Sequence, residues 1–538
     1  MAQLGAAASL SGTVTDPTEA TISGRSVNLR RVSTGVTRTA LTSSHGTYRF
    51  ADLAPGRYEI SMQAEGFAER QEGIELTVGE QAVVNLSLRL ASVRGEATVT
   101  AEAAATEPTH TEISEVIEPR RIAGLPINGR QFLDLVLLTP NVHAGRSNIA
   151  NPSTPGEPKQ VDLSFAGLHE STTLLLVDGG NNMNRINGRS RSTPSQEAVL
   201  EFRVFNDNYD AALGPATAGV VSIVTRSGTD SLHGSLYEYL RNNAVDASNL
   251  LAPSGFDKLR QNQFGATLGG PAIAKRLFYF GNYEGQRRNE SPGYSSILLN
   301  NLGVINQVKT SLGLTPEVLA GKLRQSDYDS GLLRLDGHVN PQQEAAATYR
   351  FRQDRQTNLP SATNQLSAPS NFRDATIEDH SATLNWNTVL SPRTLNQAML
   401  QLAHRSFDFP SANYEPHLQI ANTLDFGRHF NAINGFSEFR FEAGDGFTRL
   451  RGAHTWRVGG SVSVTRDNFF YDPFDPAYAV FPNLSAFLGV TPFANPFAVV
   501  FGFTMAPDGS RPNAPAQFAG PASLPAFNKF VHQDNGKE

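Results

Sequence analysis

The sequence predicts a mainly β chain of more than one domain: a small antiparallel sandwich, a compact α/β unit, then a long array of antiparallel strands. Three observations carry that reading. The chain has 538 residues, more than one ordinary domain holds. Apolar residues recur with period two in short runs along most of its length. Gly (46), Phe (32) and Tyr (13) are plentiful and Met (5) is scarce, a balance that favours strands and turns.

Composition narrows the function. Hydrophobic residues make up 39% and the net charge is only −6, which argues against a disordered chain. There is no basic surplus to drive counterion release, so nucleic acid is not an expected partner. The chain has no cysteine, which excludes disulfides, thiolate metal sites and thiol catalysis. The start, MAQLGAAASLSGTV, lacks the positive region and apolar stretch of a secretory signal. The expectation is therefore a mature form, or a start site inside a longer gene. No window approaches the roughly 18 apolar residues of a spanning helix, so any bilayer crossing is made by strands.

Residues 1–92 read as the sandwich. In GRYEISM, Tyr58, Ile60 and Met62 share one face; in QAVVNLSLRL, Val84, Leu86 and Leu88 do the same. About seven such strands alternate with turn sequences such as Asp52-Leu53-Ala54-Pro55-Gly56. SGTVTD followed by TRTALTSSHGTYRFADLAPGRYEISMQAEGF closely resembles the carboxypeptidase regulatory-like domain. The resemblance implies a transthyretin-like, carbohydrate-binding-like β-sandwich. It does not carry peptidase activity, because no HExxH zinc spacing occurs.

Residues 93–114, rich in Ala, Thr and Glu, read as a linker. Within it Glu96, Ala97, Thr98, Val99 and Thr100 form a short strand-capable run. Such a run can add to the sheet edge of another protein through main-chain hydrogen bonds. It resembles the TonB box that precedes the plug in outer-membrane TonB-dependent transporters. That resemblance implies an inner-membrane energy-transducing partner of the TonB type.

Residues 115–232 carry the most specific pattern. Phe132, Leu135, Val136 and Leu138 line one face of a predicted helix that ends before Pro140. Thr173–Val177 is an apolar run before Asp178-Gly179-Gly180, a buried strand and its turn. Val199–Phe205 and Val220–Thr225 are two further strands. The segments RRIAGLPINGRQFLDLVLLTPNV, SFAGLHESTTLLLVDGGNNMN and EAVLEFRVFNDNYDAALGPATAGVVSIVTRSGTD resemble, in order and spacing, the plug of Oar-like TonB-dependent transporters. An α/β plug held in a barrel lumen is implied. Arg130, Arg189, Arg191 and Arg203 are then candidates to meet carboxylates of the barrel wall; the alternative for each is a solvated surface. Asp178, Asn181, Asn182 and Asn184 do not have EF-hand spacing and read as a polar turn.

Residues 233–538 show repeated dyads. Leu333, Leu335 and Val339 oppose Arg334, Asp336 and His338; Ala345, Ala347, Tyr349 and Phe351 oppose Thr348, Arg350 and Arg352. Trp456, Val458, Val462 and Val464 oppose Thr455, Arg457, Ser461 and Ser463. Alternation alone fits a membrane wall or a soluble sandwich. The resemblance of FGATLGGPAIAKRLFYFGNYEG and RLRGAHTWRVGGSVS to Oar-like wall segments favours the membrane barrel. About nine strands are expected, near 233, 261, 276, 331, 345, 381, 395, 437 and 454, against about 22 in a complete transporter. An incomplete antiparallel transmembrane β-barrel, in an N-terminal fragment or interrupted gene product, is the expectation. Residues after about 466 read as a long loop.

No catalytic pattern accompanies this organisation. There is no G-x-S-x-G elbow, and Gly313 lies too far from Gly321-Lys322 for a phosphate loop. No enzyme activity, cofactor or metal site is expected. The expected function is energy-coupled uptake of an external nutrient across a Gram-negative outer membrane, with the sandwich and plug towards the periplasm. The cargo class is a carbohydrate, a peptide or a metal chelate, and the other partner is outer-membrane lipid. The rival is a carbohydrate- or protein-binding β module without transport.

Overall fold

The computed structural model describes residues 7–90, 99–102, 113–125, 127–145, 163–184, 188–207, 209, 213–214, 216–246, 258–360, 366–391, 393–410, 415–421, 423–428, 433–451, 454–471, 477–481, 483–489, 499–502 and 516–518.

The first unit contains β1 (Ala8–Thr15), β2 (Ser26–Arg31), β3 (Thr37–Leu41), β4 (Thr47–Leu53), β5 (Gly56–Met62), β6 (Arg70–Leu76), β7 (Gln81–Val83) and β8 (Leu86–Ser87). One sheet runs β4-β1-β7, with β8 also on β1. The other runs β3-β2-β5-β6 and gains β9 (Val99–Glu102) on its edge. Alternate residues turn inward, so Leu10, Leu29, Phe50, Ile60, Met62 and Leu86 meet in one core. Gly12 is required where β1 passes the β7–β8 link, since a Cβ there would lie 1.7 Å from the Val84 carbonyl oxygen. Tyr48 donates its hydroxyl hydrogen to that carbonyl at 2.5 Å, satisfying it inside the core.

The second unit holds β10 (Ile113–Ile117), α1 (Pro119–Gly124), β11 (Val142–Ala144), β12 (Leu163–Phe165), β13 (Thr173–Val177), β14 (Gly180–Asn181), β15 (Val199–Asp207) and β16 (Gly219–Thr225). Its sheet order is β10-β15-β16-β13-β14, with β13 and β16 parallel. β16 is buried along its whole length, as a central strand covered on both faces must be. Residues Phe132–Leu138 form a tight 3-10 helix rather than an α-helix. The buried set is Phe132, Leu133, Leu135 and Val136, two adjacent columns at a spacing of three, while Leu138, the last residue of the helix, is exposed.

The third unit is a nine-stranded antiparallel meander. It uses β17 (His233–Asn242), β18 (Leu259–Ile273), β19 (Leu277–Glu290), then, after α2 (Ser296–Ser311), β20 (Arg324–Asn340), β21 (Gln343–Pro360), β22 (Phe372–Ser391) and β23 (Thr394–Asp408). The chain leaves the meander for β24 (His417–Ile420) and β25 (Leu424–Phe426), then returns for β26 (Ile433–Arg451) and β27 (His454–Tyr471). The sheet is open, with β17 and β27 at its edges. Burial is inverted relative to a water-soluble sheet. Leu333, Leu335, Tyr349, Leu384 and Leu402 are exposed, whereas Arg334, Thr348, Arg350, Ser381, Thr383 and Asn385 are buried. That inversion distinguishes a membrane wall from a soluble sandwich. β22, with 20 residues, is about 65 Å long at roughly 3.3 Å per residue, well beyond an apolar band of about 25 Å.

Connections differ at the two poles. At one pole β18 and β19, β20 and β21, β22 and β23, and β26 and β27 follow one another with two or three residues between them; at the other, β17 and β18, β19 and β20, β21 and β22, and β23 and β26 are separated by 11 to 33 residues. The sandwich sits at the short-turn pole: Asp230 N donates to Ser33 O at 2.8 Å and Arg49 Nη1 to Thr455 Oγ1 at 3.4 Å.

The long connections carry a separate lobe. β28 (Ala477–Phe481), α3 (Leu484–Leu488), β29 (Val499–Gly502) and β30 (Ala516–Phe518) extend a sheet ordered β25-β24-β28-β29-β30. Thus the region after 466 is not simply loop: β27 runs to Tyr471 and short strands follow. α2, which the alternation analysis missed, packs Leu298 and Ile305 against Ile420, Leu424 and Phe426. Its start is fixed by Ser295, whose side chain accepts from Leu298 N. Within the lobe the buried Lys309 ammonium pairs with Glu317, and Glu415 lies 3.5 Å away.

Candidate functional site

The plug meets the wall through a hairpin tip and a following arginine. β13 and β14 are joined by Asp178-Gly179, both at positive φ (48° and 84°), a two-residue turn that Asp-Gly favours. The tip inserts against the inward face of the wall. Asp178 accepts from Thr225 N at 3.0 Å and Thr225 Oγ1 at 2.8 Å, which ties β13 to β16. Its remaining charge is met from the wall by Arg334 Nη1 at 3.1 Å, and Asn385 Nδ2 donates to its carbonyl at 3.0 Å.

Thirteen residues after Asp178, Arg191 is buried against wall strands. Its Nη2 donates to Asp379 Oδ1 at 2.8 Å and its Nε to Oδ2 at 3.4 Å, a fork on β22. Nη1 reaches Glu438 Oε1 on β26 at 3.3 Å. Arg440 Nη2 also donates to Glu438, at 3.0 Å, while its Nη1 donates to Asn181 O at 3.2 Å. Arg350 Nη2 donates to Asn182 Oδ1 at 3.2 Å. The Asn182 amide in turn donates to the carbonyls of Arg191 and Ser192, both at 3.2 Å. Asp178, Asn181 and Asn182 thus belong to a polar seam with the wall, and Asn184 N closes a local loop by donating to Arg189 O at 2.7 Å.

The four candidate arginines therefore go to different places. Arg191 meets wall carboxylates. Arg130 pairs with Glu197 of the plug at 2.6 Å, and its guanidinium lies 3.9 Å from the Tyr239 ring centre on β17. Arg189 contributes its carbonyl to the loop just described. Arg203 serves the sandwich boundary instead: Nη1 donates to Val78 O at 3.0 Å and Nε to Ser114 Oγ at 2.9 Å. The reason is position, since β15 crosses the plug on the side where the sandwich packs. Sequence reasoning missed that the wall supplies most of the cations. Arg334, Arg350 and Arg440 stand on the polar faces of dyad strands, which was the available signal.

Of the TonB-box-like run, Glu96, Ala97 and Thr98 lie outside the described residues. Val99 and Thr100 are in β9, paired in parallel with Arg70 and Gln71 of β6. A cavity of about 80 Å³ lies at the three-way junction, lined by Arg31 and Thr34 of the sandwich, Asp178 of the plug, and Arg334, His338 and Glu344 of the wall.

An open strand wall with a polar inner face, and a separately folded plug seated against it, is the architecture of part of a plugged β-barrel. Residues 9–89 match the carboxypeptidase regulatory-like domain, and residues 224–301 match the outer membrane beta barrel domain. The TonB-dependent transporter Oar of Myxococcus xanthus is 24% identical over 332 residues, covering 59% of this chain and 29% of that protein. The solved outer membrane transporter YddB of Escherichia coli shares the fold, with a TM-score of 0.50 at 10% identity, over 75% of this chain and 52% of its own. The chain spans under a third of the curated relative's length and about half of the solved one's.

Proposed function

We propose that the chain supplies the sandwich, plug and part of the wall of a TonB-dependent outer-membrane receptor, which takes up an external nutrient by energy-coupled transport. The single observation that supports this best is the buried Arg191 fork, which seats a folded plug on the inner face of a lipid-type wall. In this reading the short-turn pole and the sandwich face the periplasm, and the long-connection lobe faces outward. Ligand enters from the lobe side. An inner-membrane protein of the TonB type engages the segment around Thr98-Val99-Thr100 by strand addition, and the plug shifts. The cargo is drawn from carbohydrates, peptides and metal chelates. Deleting Gly95–Ala101 in the full receptor tests coupling. Energy-dependent uptake is lost while ligand binding at the cell surface persists; unchanged uptake removes the coupling role of that segment.

A further inference from the structure

The sandwich does not merely abut the plug; one of its residues is held inside it. Val78, in the link between β6 and β7, is fully buried against Val224, with Val116 and Leu200 packed around it. Its peptide groups are gripped from both sides by neighbouring positions on β15. Glu201 accepts from Val78 N–H, and Arg203 Nη1 donates to Val78 C=O at 3.0 Å. Residues two apart on a strand face the same way, so the acid and the base straddle the inserted residue as a matched pair. Glu80 shapes the insert by accepting from Thr77 N at 2.7 Å and Thr77 Oγ1 at 2.9 Å.

We propose that Val78 and its Glu201–Arg203 clamp form a latch that locks the N-terminal sandwich to the plug and opens before the plug rearranges. The inference rests on the receptor reading for its consequence in uptake, not for the latch itself. β9 lies on β6, and β6 ends two residues before Val78. The segment that a partner strand would seize is therefore hydrogen-bonded to the strand that carries the latch. Force on β9 passes through the β6 ladder to Val78, and from there to β15 in the plug sheet. The sandwich becomes the first element to respond, and the plug is held shut while Val78 stays seated.

Hydrogen exchange on the full chain in detergent tests the latch. The Val78 amide exchanges slowly in the unsubstituted protein. Val78→Ala and Glu201→Ala each speed it at least tenfold, while the amides of Ile60 in the sandwich core and Leu402 in the wall keep their rates. A Val78 amide that exchanges as fast as that of exposed Glu19 in the unsubstituted protein overturns the latch, whatever the variants do. So does an unchanged rate in both variants. The natural absence of cysteine allows a second arm. Thr77→Cys with Glu118→Cys, bridged by a bismaleimide in the full receptor, abolishes uptake and spares ligand binding. Normal uptake with the bridge verified overturns the gating role. If the unbridged receptor takes up nothing, the receptor reading fails, and the latch is judged on exchange alone.

Discussion

The Arg191 guanidinium and the Asp379 carboxylate meet through two N–H···O bonds of 2.8 and 3.4 Å, with both side chains nearly inaccessible to water. Removing the cation strands Asp379 in a low-dielectric seam. Arg405 at 4.0 Å from Asp379 and Arg440 at 3.0 Å from Glu438 soften that loss. Arg191→Ala is expected to cost about 3 kcal/mol, the low end for breaking a buried pair. Protease cleavage within the plug should accelerate accordingly. A cleavage rate equal to that of the unsubstituted protein would show that this pair does not seat the plug.

Asp178 does two jobs that substitutions can separate. Asn tolerates the positive φ of 48° and can still accept from Thr225, but it gives up the charge opposite Arg334. Ala loses the charge and the hydrogen bonds and is strained at that φ. Thermal melts should rank the unsubstituted protein above Asp178→Asn and that above Asp178→Ala, with steps of about 1–3 kcal/mol. The reverse order for Asn and Ala would refute the account.

Docking of the sandwich should depend on pH. Burial pushes the Glu201 carboxyl up to about 7, with the nearby Glu80, Glu75 and Glu118 adding to the rise and the Val78 N–H opposing it. Arg203, gripping the same peptide, faces the carboxyl's partner. A group raised from the ordinary 4.5 binds its proton more tightly when docked. Its contribution is full below about 4.5 and is lost as pH rises through about 7. Protection of the Val78 amide, corrected for intrinsic exchange, should fall between pH 5 and pH 8. Glu201→Gln should flatten that profile; a profile identical to that of the unsubstituted chain counts against Glu201.

The outward face of the wall should reject charge. Leu384 is exposed on β22 beside polar, inward Thr383 and Asn385. Leu384→Arg is expected to cost about 2–4 kcal/mol near the bilayer midplane. The measurement is recovery of extraction-resistant protein after folding into lipid vesicles. Recovery matching the unsubstituted protein would place that face away from lipid.

Much of this fold was legible because its signal is local. Among the described residues, seven of the nine wall strands begin within four residues of the expected positions, whereas β20 and β22 begin earlier, at Arg324 and Phe372; the Tyr58, Ile60 and Met62 face is buried as the alternation implies. α2 was missed although Ser295 and the spacing of Leu298, Leu302 and Ile305 mark a capped helix. A helix between two wall strands does not register in a period-two pattern. The partners of the candidate arginines were less legible. An arginine on a strand shows that a cation will be placed, not which neighbour approaches it. Arg191, in the segment between β14 and β15, meets the wall, and Arg203, on β15, meets the sandwich; which domain stands opposite depends on tertiary packing.

The uneven poles of the wall have a consequence for how such a molecule changes over generations. Lengthening a loop costs free energy only logarithmically, so insertions of many residues outside α2, β24 and β25 in the links from β19 to β20 and from β23 to β26 are thermodynamically mild. The two-residue links between β20 and β21 and between β22 and β23 have no such slack, because register on both sides is fixed by them. Variation in length is therefore tolerated on the long-connection rim and penalised on the short-link rim.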